Sequence, residues 1–181
     1  MKTESTADVD GARGNLMIDV DIADPAWRQA LDDPADFCRE VLGAAYAFLN
    51  YPSRPYEVSV VLTDDAHQQT LNACYRDKDA STNVLSFPSG ESAADGFPGD
   101  MPLPLGDISL ALETVKREAT AEGLSFADHF CHLLVHGMLH LGGYDHETDE
   151  DAEKMETLEI EILASRGVAN PYDGRLAALK E

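Results

Sequence analysis

The chain has 181 residues, 44% hydrophobic and 26% charged, and 13 Lys and Arg against 34 Asp and Glu leave a net charge of −21. That length suits one domain able to bury a core, the composition is that of an ordinary globular protein, and no apolar run reaches membrane-spanning length. So acidic a surface argues against a nucleic-acid partner unless basic residues gather locally.

Residues 1–13, MKTESTADVDGAR, are polar and lack the apolar segment of a signal peptide. They are expected to form a disordered N-terminus, followed by a single domain over 14–174 and a C-terminal tail over 175–181. Cys38, Cys74 and Cys131 lie far apart, form no CxxC pair and are odd in number. They read as reduced, small apolar core residues of a cytoplasmic protein.

NLMIDVDI (15–22) alternates apolar and polar residues as a half-buried strand does. DPADFCREVLGAAYAFLNY (33–51) repeats its apolar residues at helical intervals. YEVSVVLT (56–63) is β-branched and strand-like, and DDAHQQTLNACYR (64–76) opens on acidic residues that favour a helix N-terminus. NVLSF (83–87) is a further strand, and 88–105, rich in Pro, Gly and Ser, a long exposed loop. GDISLAL (106–112) predicts a strand and ETVKREATAEG (113–123) a helix ended by Gly123. Strands and helices mix without a regular βαβ repeat, which favours an α+β layer over a doubly wound sheet.

SFADHFCHLLVHGMLHL (125–141) predicts a helix with Ser125 as N-cap and Asp128 as its capping-box partner. Its apolar stripe runs through Ala127, Phe130, Cys131, Leu134, Met138 and Leu141, with His132, His136 and His140 on roughly the opposite face. The helix is mostly apolar and therefore buried, and an unpaired buried polar group costs about 1–3 kcal/mol, so its histidines need partners. Gly142-Gly143 stops the helix and lets His146 turn back towards His136 and His140. Two imidazoles four apart plus a third from the turn make a three-ligand zinc site at the end of a buried helix, with a fourth position open for chemistry. His129 and His132 are left as supporting, packing or surface residues. The segment 147–167 is a second helix, with a Thr148–Asp151 capping box and a buried line of Met155, Leu158 and Ile162. Its acidic residues read as a solvated face and are assigned no part in catalysis.

His136, His140, Gly143 and His146 share the HxxxHxxGxxH spacing of metzincin peptidases, which need a glutamate after the first histidine. Gly137 stands there instead. A mid-helix glycine costs about 1 kcal/mol relative to alanine, so close packing or substrate approach is expected to account for it.

LLVHGMLHLGGYDH closely resembles the signature of the YbeY family, zinc-dependent endoribonucleases that mature bacterial ribosomal RNA. LNACYRDKDASTNVLSFP (71–88), LGDISLA (105–111) and METLEIEILASRGVANPY (155–172) resemble family segments in the expected order, so that the likeness spans roughly 56–172. It implies a small mixed sheet packed on helices, one Zn²⁺ on His136, His140 and His146, and Arg76 as the basic residue of the active site. It also implies action on single-stranded RNA, in 3′-end maturation of small-subunit (16S) rRNA and in ribosome quality control, with ribosomal partners and no DNA or membrane. Asp77, Ser81, Asn83 and Gly142 depart from the family pattern.

On this reading Arg76 stabilises phosphate charge, while hydrolysis and attack by an RNA 2′-hydroxyl both stay open. Arg54 and Lys78 are expected to join Arg76 beside the metal and offset the acidic surface. Asp145 has two readings, orienting a histidine or capping a turn. The competing readings are a noncatalytic, zinc-stabilised ribosome-assembly factor and, behind it, a zinc peptidase.

Overall fold

The computed structural model describes residues 15–90 and 96–173. The expected terminal segments 1–13 and 175–181 lie outside the described residues. Among the described residues the chain forms one sheet of four strands, β1 (Leu16–Ile22), β2 (Tyr56–Thr63), β3 (Val84–Pro88) and β4 (Leu103–Ala111), in the order β1-β2-β4-β3. β1, β2 and β4 run parallel, and β3 pairs antiparallel with β4 at the edge. The helices are α1 (Trp27–Ala30), α2 (Pro34–Ala47), α3 (Asp65–Arg76), α4 (Leu112–Glu122), α5 (Phe126–Leu141) and α6 (Asp149–Ser165). The fold is thus the expected α+β domain, a small mixed sheet packed on helices.

Strand alternation assigns the layers. Ile108 and Ser86 face α5, while the next residue of β4, Ser109, exchanges two hydrogen bonds with the buried Gln68 of α3 at 2.7 and 2.9 Å. α5 therefore lies on one face of the sheet and α3 on the other. The main core gathers Val41, Leu42, Ile108, Leu134, Met138 and Ile162, all fully buried.

Three local readings change. β4 begins at Leu103, inside the expected loop, because Leu103 and Pro104 pair with Tyr56 and Glu57 of β2 ahead of a register shift at Glu57/Val58 that skips Leu105. Gly106 there has φ +140, and a Cβ would strike the Phe87 carbonyl and Leu141, so only glycine fits. α1 carried no clear sequence signal: it is one turn, held by burial of Trp27 and by its Nε1–H donating to Thr63 O at 2.9 Å. Finally, Cys38 and Cys131 are buried core thiols but Cys74 is exposed on α3.

A candidate metal centre in a polar cleft

α5 is capped as its sequence suggests: Ser125 Oγ accepts from Asp128 N at 3.1 Å. At its other end Gly143 N donates to His140 O and Tyr144 N to Leu139 O, the paired bonds of a Schellman motif. Gly143 supplies the left-handed residue, at φ +89, whereas Gly142 keeps an ordinary φ of −76. Gly142 serves fit instead, since a Cβ there would lie 3.3 Å from both Leu139 O and Leu49 Cδ1.

This turn brings the three predicted histidines together. Ring centroids are 4.6 Å apart for His136–His140, 5.2 Å for His140–His146 and 5.8 Å for His136–His146. His136 Nδ1 lies 2.5 Å from Glu159 Oε1, and His136 Nε2 lies 3.0 Å from His140 Nε2. An ionised carboxylate only accepts hydrogen bonds, so Nδ1 is the donor, and in the neutral ring Nε2 keeps its lone pair. Two Nε2 atoms thus face one another, an arrangement that calls for a shared proton or a cation. Three imidazoles facing one cleft have the chemistry to hold a metal ion. Burial lowers the pKa of His140, as do His136 and His146 beside it, against smaller opposing effects from the Tyr144 backbone and Glu159. This favours the neutral ring, the form able to coordinate.

The reading of the α6 carboxylates as a solvated face fails at Glu159. Its side chain is 0% exposed. Burial alone would raise its pKa, but hydrogen bonds with His132 and His136, the charge of His136 and the Tyr172 hydroxyl bring it down to about 2. Tyr172 donates to Oε2, and His132 Nε2 stands 3.5 Å from the same oxygen. Among the described residues, the group whose ligand atoms all lie within 4.8 Å of one another and could hold a metal ion is His132, His136 and Glu159, which shares only His136 with the predicted set. The missed signal was positional: Glu159 follows Met155 by four residues and precedes Ile162 by three, so it lies on the buried stripe. Leu158, expected on that line, is only partly buried. His129 also finds a carboxylate, Glu118 Oε2 at 2.8 Å, which Asn83 Nδ2 bonds as well at 2.9 Å.

Arg76 lies in the same cleft of about 780 Å³ as His136, His140 and His146, together with Lys78, Asp145 and Glu147. Arg76 Nη2 donates to Ser86 O at 3.1 Å, tying the guanidinium to edge strand β3. Lys78 follows Asp77, whose left-handed φ of 54 ends α3, and its N–H bonds Asn72 O at 3.2 Å. Arg54 does not join them: it donates to Pro98 O and Met101 O at 3.1 and 3.4 Å and so anchors the loop before β4. Asp145 Oδ1 accepts from Glu147 N at 3.2 Å, the turn-capping alternative.

Gly137 is a packing glycine. A Cβ would sit 3.1 and 3.2 Å from Ile108 side-chain atoms and 3.2 Å from Ser86 Oγ, so a glutamate there would be driven into the sheet. The peptidase reading fails on geometry as well as chemistry.

Fold and cleft together have the build of a small metal-dependent hydrolase, with a histidine cluster where a helix ends at an open cleft. A family profile described as Endoribonuclease YbeY matches residues 22–167. The chain belongs to this family. A protein named Endoribonuclease YbeY from Agrobacterium fabrum is 47% identical over 166 residues, covering 88% of this chain and 96% of its own length. Its namesake from Paramagnetospirillum magneticum is 48% identical over 158 residues, covering 87% and 96%. The solution structure of TM1509 from Thermotoga maritima aligns with 82% of this chain and 91% of its own at 23% identity and a TM-score of 0.49.

Proposed function

We propose that this protein is a zinc-dependent endoribonuclease that cuts single-stranded RNA, acting in 3′-end maturation of 16S rRNA and in ribosome quality control. The observation that carries the site assignment is the convergence of His136, His140 and His146 on the cleft that also holds Arg76. Membership of the YbeY family supports the RNA substrate.

His136, His140 and His146 would hold one zinc ion. When bound, zinc supplies Lewis acidity and lowers the pKa of water, so no glutamate is needed at position 137. Arg76 binds the scissile phosphate: one N–H group is tied to Ser86 O, and the remaining donors of the fork suit two phosphate oxygens. Lys78 adds charge at the rim, partly offset by Asp145 and Glu147 on the same cleft. With a net charge of −21, free RNA binds weakly, and a ribosome-associated partner delivers the substrate. We place the protein in the cytoplasm, in keeping with its free cysteines; no helix among the described residues is long and apolar enough to cross a membrane.

The test is cleavage of a labelled single-stranded RNA by wild type and by His140→Ala purified in parallel. Wild type is expected to cut and the variant to be silent. Equal cutting by both would trace the activity to a contaminant and remove the assignment.

A further inference from the structure

We infer that Glu159 is the positioning carboxylate of the metal centre, acting through His136 to present that ring's Nε2 to the ion. The inference rests on reading His136, His140 and His146 as the ligands, and it gives a role to a buried charge that RNA binding does not use.

Both oxygens of Glu159 are engaged. Oε1 takes His136 Nδ1 at 2.5 Å, while Oε2 takes the Tyr172 hydroxyl and has His132 Nε2 at 3.5 Å. The side chain emerges from α6 between Met155 and Ile162, with no exposure to water. An ionised carboxylate in such a place is costly unless a cation or strong donors offset it. The group it aligns is the ring whose other nitrogen points at His140. Metal-binding histidines characteristically donate their second N–H to a carboxylate, which fixes tautomer and orientation and raises basicity. Tyr172 then holds the far oxygen, so that a residue beyond the C-terminal end of α6 helps set the orientation of a ligand on α5.

The alternative is that Glu159, with His132 and His136, is itself a ligand. The two roles differ in what lies between Glu159 and His136 Nδ1, a proton or the ion, and zinc titration separates them.

The experiment is zinc titration of the full chain against a chromophoric chelator, for wild type, Glu159→Gln, Tyr172→Phe and His140→Ala. Glu159→Gln keeps the size and one acceptor but loses the charge. Its zinc Kd is expected to rise about tenfold to a hundredfold. Tyr172→Phe should give a smaller rise in the same direction, and His140→Ala the largest of the three. A Glu159→Gln protein that folds and binds zinc within about twofold of wild type, while His140→Ala does not bind, overturns this inference alone. Should Glu159→Gln fail to fold, Tyr172→Phe decides by the same twofold margin. If His140→Ala keeps its zinc and Glu159→Gln loses it, Glu159 is a ligand and the three-histidine reading falls as well. The visible spectrum of Co²⁺-loaded protein separates misalignment from global loosening. A positioning role shifts the bands of the folded variant, whereas a purely structural one lowers thermal stability and leaves them in place.

Discussion

The two sides of α5 carry the same kind of residue and do different work. Towards the cleft, His140 and His146 stand beside Arg76 and Lys78. On the other side His132 is backed by Glu159 and Tyr172. His136 belongs to both, giving one nitrogen to each. Whether an imidazole can coordinate depends on what its second nitrogen meets, and that is set by helices and loops distant in sequence.

The largest expected effect separates the two sides directly. His146→Ala should reduce RNA cleavage to background and release zinc, whereas His132→Ala should keep zinc and retain cleavage within about tenfold. Metal analysis of the purified variants beside the cleavage assay reads both. Zinc retained by His146→Ala would dissolve the distinction.

Next comes the cleft wall opposite the histidines. Arg76→Ala should lower kcat about a hundredfold, in the range seen when one donor to transition-state charge is removed, with zinc content unchanged. Unchanged turnover would make Arg76 a structural tie to β3 and nothing more.

Gly137 lies under both sides, where α5 touches the sheet. Gly137→Glu should destabilise the fold by about 1–3 kcal/mol through overpacking and confer no peptidase activity. Thermal denaturation and a protease assay check the two halves of that expectation. A variant as stable as wild type would show that the contacts to Ile108 and Ser86 relax freely.

The smallest effect belongs to the Glu159 side and appears as pH dependence. The Glu159 carboxyl is held at about 2 against an ordinary 4.5. A depressed folded value means that its contribution is present above about 4.5 and is lost as pH falls towards about 2. Urea midpoints of metal-free protein should decline across that window, and less steeply in Glu159→Gln. Identical slopes would show that the burial cost cancels the hydrogen bonds.

Much of the site was legible because it is local. The i, i+4 spacing of His136 and His140, the Ser125 cap and the glycine break are properties of contiguous residues, and all three recur in the structure. Glu159 was hidden because a carboxylate on an acidic helix looks solvated until the helix is packed. Its place between Met155 and Ile162 was the available clue. Arg54 was misplaced for a related reason: charge alone does not say which carbonyls a guanidinium will find, and here Pro98 and Met101 take it.

By itself the sequence determined the order and kind of nearly every element, the histidine-bearing helix and the family signature. Those follow from periodicity, capping and spacing, which act within a few turns of chain. Only the tertiary structure decided why position 137 is glycine, which nitrogen of His136 is free, and that one carboxylate of α6 is buried. Each of these depends on a contact between elements far apart in the chain, such as the one joining His136 to Glu159 across 23 residues, and packing alone selects the partner.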